Sequence, residues 1–132
     1  MTHHRRAVEA PGAPDAIGPY SHAIVSNGLV FCSGQLPLEP ATGELIEGGA
    51  GEQARRCLEN LAAICEAAGA SLADAVRVTV YLAFLQSDWA EVNEVYASFF
   101  EGGDPPARVA VGVKVLPKEA LVEIDAVVAL PE

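Results

Sequence analysis

Positive charge is scarce in this sequence. Across 132 residues, eight lysines and arginines face 18 aspartates and glutamates, giving a formal net charge of −10 and a pI near 4.6. Such an acidic surface repels phosphate, which argues against nucleic acid and anionic membrane as partners. A small anionic substrate stays compatible, provided a local cation receives it. Cysteine is sparse as well. Cys32, Cys57 and Cys65 form an odd set without a C-x-x-C pair. Cys57 and Cys65 fall on one expected helix, eight positions apart, or about 12 Å, too far for a disulfide within the chain. Reduced thiols in a cytoplasmic protein are the expectation. Long apolar runs are missing: none approaches the roughly 18 residues of a membrane span. The first residues, MTHHRRAVEAPGAPDA, carry basic groups without an apolar stretch behind them, so no secretory signal is expected. His3, His4 and His22 have no metal-ligand spacing, and no metal is expected.

What is present suits a folded domain. The chain is 51% hydrophobic with mean hydropathy +0.26, which excludes a disordered tail. Its length suits one domain that buries about two-thirds of its unfolded surface. Residues 1–16, with Pro11 and Pro14, read as a loose arm, and 17–132 as the single domain. Tyr20 to Ser26 and Leu29 to Ser33 are strand-like runs around Asn27-Gly28, a hairpin signal because both residues tolerate positive φ. Pro37 to Gly43 reads as a loop and Glu44 to Glu47 as a short edge strand.

Residues 52–68 show helical spacing of Ala54, Cys57, Leu58, Leu61, Ile64, Cys65 and Ala68. Glu52 and Arg56 suit an i,i+4 pair, and Gly69 suits a C′ cap. Val76 to Leu82 alternate as a half-buried strand. A second helix is expected from about Ser87, as N-cap, with the stripe Trp89, Val92, Val95, Tyr96, Phe99 and Phe100, ending at Gly102-Gly103. Two alternating strands close the chain: Val109 to Val115 and Val122 to Val128. The order is α+β, with two helices on the valine-rich face of one sheet. The opposite face is small and partly apolar, the kind of face that another subunit covers.

Three motifs invite chemistry and are set aside. Gly49-Ala50-Gly51-Glu52-Gln53-Ala54 mimics a dinucleotide fingerprint. It lacks a preceding buried strand and a βαβ repeat, and Glu52 would repel phosphate. Ser33 lacks the glycine two positions earlier that a nucleophile elbow needs. Cys32 could pair with His22 as a thiol dyad, but reads better as a small buried hydrophobe. Arg108 is different. It interrupts the small apolar run Ala107 to Val113 just after Pro105-Pro106, where a guanidinium needs an anion. One reading is an internal salt bridge to Glu123 or Asp125 across a hairpin. The other is a planar fork that grips a substrate carboxylate.

Several stretches together resemble the Rid family, also called YjgF, of reactive intermediate deaminases. They are Gly18-Pro19-Tyr20-Ser21, Phe31 to Pro37, Asn93-Glu94-Val95-Tyr96, Pro106-Ala107-Arg108, and Leu116-Pro117 through Val122-Glu123-Ile124. The likeness runs over roughly residues 17–129, and its specificity lies in five weak motifs in one order. It implies a chorismate-mutase-like α+β fold with a mixed sheet, a homotrimer with clefts between subunits, and no cofactor. It implies hydrolysis of enamines and imines such as 2-aminoacrylate to 2-keto acids and ammonia. Arg108 would hold the substrate carboxylate, Glu123 would position the attacking water, and Tyr20, Ser33, Gly34 and Asn93 would line the cleft. Two positions depart from the family pattern: Ala110 replaces a common cysteine, and His22 a common glutamine. The alternatives are a non-enzymatic trimer that binds small metabolites, and an RNA-cleaving translation inhibitor, which the net charge disfavours.

Overall fold

The hairpin turn is built as its two residues require: Asn27 and Gly28 take φ of 51° and 77°, and Ser26 pairs directly with Leu29. The computed structural model describes residues 4–132. Its elements are β1 (Arg6–Val8), β2 (Ala23–Ser26), β3 (Leu29–Gln35), α1 (Ala50–Ala68), β4 (Ala75–Leu82), α2 (Leu85–Ser98), β5 (Ala107–Gly112) and β6 (Val122–Ala129). The six strands form one sheet in the order β1-β2-β3-β6-β4-β5. All neighbours are antiparallel except β4 and β5, which run parallel. A parallel pair needs a crossover, and α2 supplies it.

α1 follows its apolar spacing. Cys57, Leu58, Leu61, Ile64 and Cys65 are fully buried against Val30, Val78, Val80, Ile124 and Val128 of the sheet. Each large apolar side chain so buried contributes about 1.5–3 kcal/mol relative to exposure. Gly69 ends the helix at φ 85°, and the chain reverses there with N–H groups of Gly69 and Ala70 on Glu66 and Cys65 carbonyls. At the other end Glu91 of α2 accepts from the Gly51 N–H at 2.5 Å. A carboxylate of the chain itself thus occupies the place a phosphate would take. The three thiols are free and buried.

Several expectations are corrected. The loose arm is not loose over its described part: β1 pairs with β2, and Val8, Ala10 and Ala13 are buried. His22 explains this, because its Nδ1 accepts from the Ala10 N–H at 2.9 Å while Nε2 donates to the Pro14 carbonyl at 2.8 Å. His3, also assigned to the arm, lies outside the described residues. The Glu44–Glu47 strand reduces to a single bridge between Leu38 and Leu45. Arg56 pairs with Glu59 at 3.3 Å, one turn on, instead of Glu52. α2 begins at Leu85 with Phe84 as its cap, and Ser87 turns back to the Phe84 carbonyl. It ends at Ser98, before the glycines.

The last two strands are not a hairpin, since β6 lies between β3 and β4. β5 also turns the other face from the one expected. Its register sets Arg108 beside the buried Val78, and Val109 and Val111 beside Thr79 and Tyr81. Residues paired across strands share a face, and an offset of one residue exchanges faces. The valines of β5 therefore lie on the open face with Phe31, and Arg108 lies on the helix face.

Candidate functional site

The residues singled out by sequence fall into two clefts. The first, of about 400 Å³, is lined by Ile17, Tyr20, His22, Ser33, Gly34 and Glu123 among others. β3 carries Ser33 and Gly34 through an irregularity in its pairing with β6, between Cys32 and Gln35. That bulge re-aims the strand. The Ser33 hydroxyl donates to the Ser21 carbonyl at 2.6 Å, tying the bulge to the chain leading into β2. Tyr20 is exposed, and its hydroxyl accepts from the Ile17 N–H at 3.2 Å. Gly34 faces Glu123 so closely that a Cβ there would stand 2.7 Å from Glu123 Oε2. Only glycine leaves the carboxylate its position.

Glu123 is half-buried on β6, and burial, then the negative charge of Asp125, pushes its carboxyl above the usual range. Asp125 is in turn held by the Tyr81 hydroxyl at 3.0 Å. Burial, followed by that hydrogen bond, raises the tyrosine pKa. Both nitrogens of His22 are spent on the backbone of residues 10–14, which leaves no base for a thiol dyad with Cys32. Its hydrogen bond to Cys65 and its burial push the Cys32 thiol up, and burial does the same to Cys57. Neither is a nucleophile poised at neutral pH.

The second cleft, of about 490 Å³, is lined by Asn93, Tyr96, Phe100, Pro106 and Arg108 among others. Arg108 donates to Asn93 Oδ1 at 2.8 Å. Its guanidinium carbon lies 4.8 Å from the ring centres of both Trp89 and Tyr96. Sequence reading placed these two rings in the apolar stripe of α2; their contact with Arg108 was not visible in it. The internal salt bridge does not form. Among the described residues the one ion pair is Arg56–Glu59, and Arg108 has no carboxylate beside it.

The two clefts lie on opposite faces of the sheet. Arg108 shares the face of Val78, whereas Glu123 pairs with Tyr81 on the other. β4 separates their strands, so their backbones are about 10 Å apart laterally and about 10 Å along the strands. Within one chain, Tyr20, Ser33, Gly34 and Glu123 are brought together, and Asn93 and Arg108 are brought together elsewhere. No group of three or more potential metal ligands exists among the described residues. No helix of the described residues is long and apolar enough to cross a membrane.

A sequence profile of the family described as Endoribonuclease L-PSP matches residues 10–130. A RutC family protein of Pyrococcus horikoshii is 49% identical over 123 residues, covering 93% of this chain and 96% of that protein. The human 2-iminobutanoate/2-iminopropanoate deaminase is 41% identical over 123 residues, covering 93% and 88%. The crystal structure of E. coli TdcF with bound serine is similar at a TM-score of 0.90 and 41% identity, covering 96% of this chain and 99% of that one.

Proposed function

The chain belongs to the L-PSP endoribonuclease family, the group also known as Rid or YjgF, and from that premise we propose that it hydrolyses enamine and imine carboxylates to 2-keto acids and ammonia. The observation that carries this reading is the divided site. A cation without an anion waits in one cleft and a carboxylate with a raised pKa in the other. The open sheet face, which carries Glu123, exposes Phe31, Val109 and Val111 at 45%, 38% and 36%. An apolar face of this kind suits a second copy of the chain. In a homotrimer the cationic cleft of one copy then meets the acidic cleft of the next, without cofactor. The relative named as an iminobutanoate deaminase supports the reaction class.

The chemistry needs little beyond position. The imine carbon is electrophilic, and more so when its nitrogen is protonated; an enamine reaches that state by protonation at carbon. Arg108 grips the carboxylate. Glu123 takes a proton as the water oxygen bonds to the imine carbon. The nitrogen gains a proton and leaves as ammonia, and the carbonyl forms. Positioning supplies several kcal/mol, and a carboxylate base typically adds about 10²–10⁴-fold. Tyr20, Ser33, Gly34 and Asn93 shape the cleft. The free thiols suit a cytoplasmic setting.

A metabolite-binding protein without turnover is the second reading, and the serine held by the E. coli relative favours it. RNA cleavage is not proposed, because the chain carries net charge −10. One experiment separates enzyme from binder. 2-Aminoacrylate is generated in situ from serine by a pyridoxal-phosphate dehydratase, and pyruvate formation is followed with and without the protein. Acceleration above spontaneous hydrolysis that disappears in Arg108→Ala is expected. A rate equal to the spontaneous one overturns the enzymatic reading.

A further inference from the structure

We propose that Trp89 and Tyr96 are positioning residues for Arg108, two aromatic faces that fix the guanidinium plane so that its free N–H edge meets a carboxylate. The proposal rests on the reading of Arg108 as the carboxylate anchor. Arg108 stands exposed on β5, the strand at one edge of the sheet. A long side chain there would sample many rotamers and present its fork only part of the time. Three contacts restrict it. Trp89 and Tyr96 each lie 4.8 Å from its Cζ, inside the range of about 6 Å at which ring faces attract a cation. Asn93 accepts from one terminal nitrogen.

The three residues stand at i, i+4 and i+7 of α2, one stripe of the helix. Tyr96 is 5% exposed, and its hydroxyl has no hydrogen-bond partner among the described residues. Packing, not the polar end, therefore fixes that ring. With two rings 4.8 Å from its Cζ and one N–H given to Asn93, the remaining donors lie in the guanidinium plane, the geometry that a bidentate carboxylate needs.

Trp89 is the one tryptophan of the chain, so its emission reports on the clamp alone. Wild type, Trp89→Leu, Trp89→Phe and Arg108→Ala are titrated with pyruvate by calorimetry and assayed for imine turnover. Trp89→Leu is expected to bind pyruvate about tenfold more weakly, the loss of one such contact. Its KM rises by a similar factor while kcat stays within about twofold. Trp89→Phe restores most of the lost affinity, because a ring face returns. In wild type the tryptophan emission shifts on adding pyruvate and saturates with the calorimetric Kd. Wild-type affinity in Trp89→Leu, or equal weakness in Trp89→Phe and Trp89→Leu, overturns the clamp. If Trp89→Leu does not fold, an unchanged wild-type emission at saturating pyruvate overturns it instead. Arg108→Ala keeps the two failures apart. Retained pyruvate affinity there sinks the anchor itself, whereas lost affinity there beside full affinity in Trp89→Leu sinks only the clamp.

Discussion

The acidic cleft and the cationic cleft are held in different ways. Glu123 projects from β6, where every second residue from Val122 to Val128 is buried, between β3 and β4 in the interior of the sheet. Its place is set by backbone pairing, by the bulge of β3 and by a glycine. Arg108 projects from an edge strand on which five of six residues are exposed. Its place is set by side chains of α2. The first cleft is a product of the core and tolerates little change in shape. The second sets exposed Asn93 and Arg108 beside the buried rings of Tyr96 and Phe100 and, in the proposed function, is completed by another copy of the chain. The same substitution therefore has different consequences in the two clefts.

The largest effect is expected at Glu123. Glu123→Gln keeps the shape and removes the base, so kcat should fall about 10²–10⁴-fold while pyruvate affinity largely survives. The stability change should have the opposite sign. The carboxyl pKa is raised by burial and by Asp125. Its stabilising share is thus fully present below the unfolded carboxyl pKa and is lost as pH rises through the folded value. Glu123→Gln should accordingly raise the melting temperature at pH 7 and lose that advantage near pH 4. For the wild type, kcat/KM should climb with pH through a carboxyl pKa above the ordinary range. Asp125→Asn should move that limb to lower pH. A limb in the ordinary range in both proteins would break the link between burial and basicity.

Arg108 comes next. Arg108→Ala should lower kcat/KM by about 2–5 kcal/mol, as for a deleted partner of a buried charge pair, and Arg108→Lys should not rescue it, since an ammonium is no planar fork. Because Arg108 and Glu123 lie on opposite faces of the sheet, the division between copies is also testable. Arg108→Ala and Glu123→Gln proteins, each inactive, are unfolded and refolded together. If each site takes its arginine and glutamate from different copies of a trimer, the randomly assembled mixture recovers about a quarter of wild-type turnover. No recovery in properly assembled mixed trimers would place both groups of a site in one chain and contradict the two-faced geometry.

How much of this was legible in the sequence follows from the same contrast. α1 and β6 were readable because burial on one side forces a strict period. β5 alternates just as regularly. With both of its rows exposed, however, nothing in the pattern says which row meets the helices, and the valine row, the natural choice by hydropathy, is the one that faces away from them. Nor does periodicity name partners, so the insertion of β6 between β3 and β4 was invisible. β1 is three residues long in a proline-bearing stretch, and its anchor is His22, fourteen or more positions away in sequence. Arg108 stood out as a lone charge among small residues. Trp89 and Tyr96 did not, because an apolar stripe looks the same whether it packs on a core or on a guanidinium. Cys65 beside Cys32 was likewise beyond reach, since only the fold brings α1 to β3.

Gly34→Ala should act at an intermediate scale. The added methyl would meet Glu123 Oε2 at 2.7 Å, and the end of a glutamate side chain can swing away. Turnover should fall by about tenfold or more as the base leaves its position, with little change in melting temperature. A Gly34→Ala protein with full activity would show that the carboxylate position seen here is not the working one.

The smallest effect on turnover is expected at the cysteines, although they lie deepest. Cys57 and Cys65 are fully buried and Cys32 nearly so. Replacing all three by alanine removes three sulfur atoms from a packed interior and should lower the melting temperature measurably. Turnover of the folded triple variant should nevertheless stay within about threefold of wild type, because no thiol lines either cleft and the Cys32 and Cys57 pKa values are raised. Core volume would then affect the scaffold without reaching the chemistry, the converse of Glu123→Gln, where chemistry is lost and the scaffold gains. Abolished turnover in a triple variant that is folded and correctly assembled would mean that the space around Cys32, two residues before Gly34 on β3, sets the position of the bulge. The acidic cleft would then depend on core packing at a distance, and the Cys32→Ala single variant should reproduce the loss.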